Sequence, residues 1–260
     1  MPDFGTAKRF DLLVERRETL YRLFGLALPG GLGEDRGVQT PFPGGLFVVI
    51  DGIDGAGKTT QCALLAQFFG ERGVLCALSK EPTGVDWGKK LRESAAAGRL
   101  SLEDELDYFV KDRRDHIART IQPVLDAGGV VILDRYYYST AAYQGSRGAD
   151  IAQILEIHHE FAPEPDVALI FDIAACGGLQ RVRARGDEPN SFEDQDALDQ
   201  ARAIFQDLAA KNDHILLIDA TQSVARLKKA VIESVASAAL AKTTGKPEEA
   251  AVRRLFDLVA

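Results

Sequence analysis

At 260 residues, 46% hydrophobic and 8% aromatic, the chain has apolar material for one sizeable core with short additions. Its formal net charge of -8 argues against a general nucleic-acid or membrane-surface binder, because both of those partners are anionic, so a phosphorylated substrate must be held by a local cluster of basic residues. Cys62, Cys76 and Cys176 show no CxxC spacing, which points to packing roles in a reducing compartment and excludes a structural zinc or disulfide framework.

Residues Thr6 to Leu28 place Phe10, Leu13, Val14, Tyr21 and Phe24 near one face of a helix, ahead of a Gly/Pro-rich segment over 29–45. This predicts an appended helix on a linker, packed on the main domain or on a partner subunit. No apolar h-region is present, and the basic residues are interleaved with Asp3, Asp11, Glu15 and Glu18. A cytoplasmic location with no membrane partner is therefore expected.

The apolar run Phe47-Val48-Val49-Ile50 predicts a buried strand that stops at Asp51-Gly52. The spacing Gly52-x-x-x-x-Gly57-Lys58-Thr59 is that of a P-loop. There Gly52, Gly55 and Gly57 let the backbone wrap an anion, N–H groups of the loop through Ala56 to Thr60 face it, Lys58 reaches the β- and γ-phosphates, and the Thr59 hydroxyl can ligate Mg²⁺. The loop indicates a nucleoside triphosphate with Mg²⁺ and does not choose between kinase, GTPase and motor. A GTPase is disfavoured because no Asn-Lys-x-Asp motif occurs; Lys211-Asn212-Asp213 lacks the order.

Further strands are expected at 74–79, 130–134, 167–172 and 215–219, separated by helical patterns over 101–127, 150–161, 192–210 and 223–241. The helix over 101–127 opens with the capping signal Ser101-x-x-Asp104. Alternating strands and helices predict an α/β fold of three layers, with a five-stranded parallel sheet, helices on both faces, and ligands at the C-terminal strand ends. The expected organisation is an appendage over 1–45, a P-loop domain over 46–241 with a lid at about 177–192, and a second appended helix within 242–260.

Three groups of residues carry further chemistry. At the end of the third strand, Arg135 is placed to grip a phosphate, with Asp134 holding either Arg135 or a metal-bound water, or else the two form an ion pair above packed tyrosines. On the long helix Phe109 and Arg113 share a face and suit a nucleobase, one by stacking and one by donating to a ring carbonyl, whereas Asp112 and Arg114 fit a solvated charged face. After the fourth strand, Arg181, Arg183 and Arg185 precede Gly186 and Pro189, which suits a cationic lid or a solubilising helix end.

Together these segments resemble the thymidylate (dTMP) kinase family of P-loop nucleoside monophosphate kinases. The resemblance runs through DGIDGAGKTTQ (51–61), KEPTG (80–84), FVKDRRDH (109–116), DRYYYSTAAYQG (134–145), RVRARG (181–186), SFE (191–193) and IDAT (218–221). It implies transfer of the γ-phosphoryl of ATP to dTMP with Mg²⁺, by a homodimer, without nucleic acid. It also implies that Phe109 stacks on thymine, Arg113 meets the base carbonyl, Arg135 holds the monophosphate, Thr140 and Gln144 touch the base, and Tyr143 lies against the deoxyribose C2′. Glu81, Pro82, Arg92 and Ser139 fall at substrate positions, Asp54 near the sugar and metal, and Thr59 with Asp134 at the metal. With Gly55 and Ala56 in the loop, no P-loop arginine is present, so the resemblance assigns catalysis to Lys58, Asp54, Arg135 and a lid arginine, Arg181 or Arg185. Lys80 and Ser191 depart from the arginines usual at their positions. Alternatives are a kinase of another pyrimidine monophosphate and a nucleotide-binding regulator.

Overall fold

The computed structural model describes residues 40–184 and 195–258, with backbone only at 95–97. Five parallel strands form one sheet: β1 (Leu46–Gly52), β2 (Cys76–Lys80), β3 (Val130–Asp134), β4 (Val167–Asp172) and β5 (Ile215–Asp219), in the order β2-β3-β1-β4-β5. Every residue of β1 and β3 is buried, which is why these strands are continuous apolar runs with no polar alternation.

Helix α1 (Lys58–Glu71) follows β1 and packs with α9 (Val224–Thr243) against the sheet. Helices α5 (Tyr137–Gly145) and α8 (Gln195–Lys211) pack together and cover β1, β4 and β5. Between them run α2 (Asp86–Ala97), α3 (Leu102–His116), α4 (Gln122–Asp126), α6 (Ile151–His159) and α7 (Ala175–Ala184), with α10 (Glu249–Leu255) last. Ser101 caps α3 by accepting from the Asp104 N–H at 3.1 Å, and Asp150 and Ser223 cap α6 and α9 in the same way.

Several sequence expectations shift. The second strand runs over Cys76–Lys80 instead of 74–79; ahead of it the buried Leu75 gives its carbonyl to the Val130 N–H at 2.8 Å. The helix expected over 101–127 is divided by a π turn at Ile117–Ile121. Helices α2 and α5 were not foreseen. Cys176 is exposed and only Cys62 and Cys76 are buried. The start of the helix expected at 192, and the helix expected within Thr6 to Leu28, lie outside the described residues.

Both chain ends of the described region join the core. Phe42 is fully buried, edge-on to Phe69 at 6.4 Å. Phe256, just after α10, stacks on Phe68 at 5.6 Å, and Arg72 Nε donates to the Leu255 carbonyl at 2.9 Å. Among the described residues no helix is long and apolar enough to cross a membrane.

Candidate active site

Strand order builds the site. Because β3 lies beside β1, with Asp134 in register with Ile50, the residue after β3 emerges next to the P-loop. That residue is Arg135. Its backbone is left-handed, φ +72, and its N–H donates to the Ile50 carbonyl at 3.1 Å. A left-handed arginine costs about 1–2 kcal/mol, so something must hold it.

Asp51 does so. Fully buried at the end of β1, its carboxylate accepts from the Gly52, Tyr136 and Ser139 N–H groups at 2.8, 3.1 and 3.0 Å and from the Ser139 hydroxyl at 2.6 Å. One carboxylate thus ties the start of the P-loop to the start of α5. Burial raises the Asp51 carboxyl above the ordinary aspartate range, against the lowering by Arg135 and these donors.

Within the loop Gly55 and Gly57 have φ of +78 and +94. A Cβ on Gly55 would lie 2.1 Å from the Gly178 carbonyl oxygen, so α7 rests directly on the loop. Lys58 is 6% exposed and its Nζ donates to the Ile53 carbonyl at 2.8 Å. Burial and the nearby Arg135 charge lower its pKa, opposed by Asp54, Asp134 and Asp51. The Thr59 hydroxyl donates to Asp134 Oδ2 at 2.6 Å. Asp134 therefore engages Thr59, while Arg135 forms an ion pair with Asp54 and donates to Ser139 Oγ at 3.0 Å. Tyr143 donates to Asp54 Oδ2 at 2.9 Å. Burial alone would raise the Asp54 carboxyl, but Arg135, Lys58 and Tyr143 outweigh it and hold it at about 2.

Two cavities meet here. One, of about 130 Å³, is lined by the P-loop residues Asp54, Gly55, Gly57, Lys58, Thr59 and Thr60 together with Asp134 and Arg135. The other, of about 600 Å³, is lined by Glu81, Pro82, Arg92, Phe109, Arg113, Ser139, Thr140, Tyr143 and Gln144, and shares Asp54, Thr59, Asp134 and Arg135 with the first. That volume is ordinary for a small-molecule site. Gly52 and Ala56 line neither cavity; Gly52 joins strand to loop and Ala56 is buried beneath it.

Arg113 is 1% exposed: its Nε donates to Glu81 Oε2 at 2.7 Å, Nη1 to His158 Nε2, and Nη2 to the Thr140 hydroxyl at 3.2 Å. Burial opposes ionisation of Glu81, yet Arg113 and His116 lower its carboxyl overall. Arg92 reaches back to the Pro82 carbonyl. Asp112, expected on a solvated face, is 3% exposed and accepts from the Thr83 N–H at 2.8 Å, because α3 packs against the loop after β2. Arg114 lies over the Phe161 ring at 3.8 Å. Asp51, Glu105, His116 and His158 carry the site's support; Asp51 and His116 fall within the segments 51–61 and 109–116, but nothing in local spacing marks the supporting role of any of the four, since each acts through a partner distant in the chain. Arg181 lies on α7 and lines neither cavity. Arg185 and Ser191 lie outside the described residues.

The geometry joins the P-loop cavity to a larger chamber through the shared Arg135 guanidinium. The thymidylate kinase family profile matches residues 50–231. A thymidylate kinase of Xanthomonas campestris pv. campestris (strain B100) is 48% identical over 191 residues, 73% of this chain and 84% of that protein. A thymidylate kinase of Xylella fastidiosa (strain M12) is 45% identical over 198 residues, 76% and 86% of the two chains. The crystal structure of thymidylate kinase from Ehrlichia chaffeensis is similar with a TM-score of 0.59 and 31% identity, covering 74% of this chain and 98% of that one. Sheet order, P-loop cavity, chamber and these similarities converge: the chain belongs to the thymidylate kinase family.

Proposed function

We propose that this chain transfers the γ-phosphoryl group of ATP to dTMP, giving ADP and dTDP for nucleotide biosynthesis. The observation that supports this most is the sharing of Arg135, Asp54, Thr59 and Asp134 by the two cavities, which allows a donor tail on Lys58 and an acceptor phosphate on Arg135 to lie side by side. An oxygen of the dTMP phosphate forms the new bond to the γ-phosphorus as the bond to the β-bridging oxygen breaks and its electrons leave with ADP. That acceptor oxygen is already ionised at neutral pH, so the site needs alignment and charge neutralisation and no strong base.

In this reading the P-loop backbone and Lys58 hold the donor phosphates. Arg135, Arg92 and Ser139 lie about the acceptor phosphate, Phe109 and Arg113 face the base with Thr140 and Gln144, and Tyr143 flanks the sugar. Arg181 or Arg185 supplies transition-state charge from the lid. The Thr59 hydroxyl paired with the Asp134 carboxylate is an oxygen donor set suited to Mg²⁺. Bound there, Mg²⁺ would neutralise nucleotide phosphate charge. A homodimer in the cytoplasm completes the reading, supported by the family resemblance.

The test is a coupled assay of ADP production with dTMP, dUMP, dCMP and dGMP, with ribo-UMP as a sugar control. Preference for dTMP is expected, and equal kcat/KM across the panel would remove both the base and the sugar assignments.

A further inference from the structure

Glu105, Phe109 and Arg113 follow one another at four-residue steps on α3, so all three side chains share a face. Phe109 and Arg113 line the larger cavity. Glu105 is only 1% exposed. Its carboxylate accepts from Arg99 Nε and Nη2, both at 3.1 Å, forms an ion pair with Arg147, and accepts from Gln144 Nε2 at 3.2 Å.

Gln144 is fully buried and lines the same cavity. Its Oε1 is buried and has no hydrogen-bond partner. The two ends of a carboxamide have opposite hydrogen-bonding sense, and a carboxylate can only accept. Glu105 therefore decides which end of Gln144 turns toward it. The amino group must face Glu105, which leaves the oxygen as the free end. A buried acceptor without a partner is costly, and because Gln144 is one of the residues lining the chamber, a donor on the ligand would satisfy it.

We propose that Glu105 is a positioning residue for base selection: it orients the Gln144 carboxamide so that Oε1 meets the ring imino N–H of thymine or uracil. Cytosine carries a bare ring nitrogen at that place, and its lone pair would face the oxygen. This inference rests on the reading of the larger cavity as the pyrimidine acceptor site.

The experiment compares dUMP with dCMP, which both lack the 5-methyl group and differ only in their hydrogen-bonding edge. Glu105→Gln can donate as well as accept, which frees the Gln144 amide to turn over. Glu105→Asp keeps the charge and the arginine partners but withdraws the carboxylate by one methylene, and it carries the test alone if the glutamine variant does not fold. In either variant the dUMP-to-dCMP ratio of kcat/KM should fall about tenfold or more, the scale of one buried hydrogen bond made or lost. The change should lie in KM more than in kcat. An unchanged ratio in folded protein, with only a lower Tm, would show that Glu105 merely supports the fold and would overturn the proposal. If the unaltered chain used dCMP as well as dUMP, base positioning would fail while phosphoryl transfer stood. If it used no pyrimidine monophosphate at all, the functional reading would fail and this inference with it.

Discussion

The guanidinium of Arg135 is ion-paired with the carboxylate of Asp54, although 81 residues separate them in the chain. The pair forms because β3 is the neighbour of β1, and because Asp51 holds both loops from below. A phosphate on Arg135 would meet donors already aimed by this arrangement, so little reorganisation would be needed.

Replacing Arg135 tests the acceptor assignment. Charge-assisted hydrogen bonds contribute about 1.5–3 kcal/mol each, so Arg135→Met should lower kcat/KM for dTMP about a hundredfold or more, with a smaller change in KM for ATP. Arg135→Lys should recover only part, since it lacks the planar fork. Steady-state kinetics with each substrate varied in turn decide the matter, and an unaltered dTMP kcat/KM would sink the assignment.

The lid hypothesis makes a larger demand. Arg185→Ala should reduce kcat by a factor approaching the arginine-finger range of about 10³–10⁵, with less effect on dTMP affinity. Arg181→Ala is the companion variant. Unchanged kcat in both would remove the lid arginines from the mechanism.

Packing between α7 and the P-loop offers a test that leaves every charge in place. A Cβ on Gly178 would lie 2.4 Å from the Asp54 carbonyl oxygen, so Gly178→Ala must move either the helix or the loop. A destabilisation of about 1–3 kcal/mol is expected, read as a lowered Tm, together with a KM for ATP that rises more than that for dTMP. An unshifted Tm would mean that the contact is looser than the structure has it.

His158 gives the stability a pH dependence. Burial, then the adjacent Arg113 charge, depress its pKa to about 3, while its ring stacks on Tyr137 at 5.7 Å and one nitrogen bonds the Ile154 carbonyl. The unfolded chain binds a proton near pH 6.5 and the folded one does not, so this group's contribution is complete above 6.5. It is lost as pH falls from there toward 3, with a slope of up to about 1.4 kcal/mol per unit. His158→Gln keeps an acceptor for Arg113 but cannot titrate there. Denaturant unfolding between pH 7 and 5 should show the parent losing stability faster than the variant; parallel curves would contradict the assignment.

Much of the scaffold was readable as local pattern. The strands at 130–134, 167–172 and 215–219 have the expected bounds, because each is an apolar run closed by an aspartate. Helix α5 was hidden because seven of its nine residues are buried, which removes the amphipathic period. Helix α2 was hidden for another reason: its Gly88, a weak helix former, is required where a Cβ would lie 2.3 Å from the Thr83 carbonyl oxygen. Asp112 reads as solvated from its charge and is buried because α3 docks on the loop after β2.

The P-loop was already present in the order of residues 51–61, since a loop able to wrap an anion with its own backbone needs only contiguous residues of suitable size. Which charges face one another was settled by the fold. Arg135 with Asp54, His158 with Arg113, and Glu105 with Gln144 each depend on strand order, register and helix docking, and a pairing between distant segments leaves no trace in local spacing.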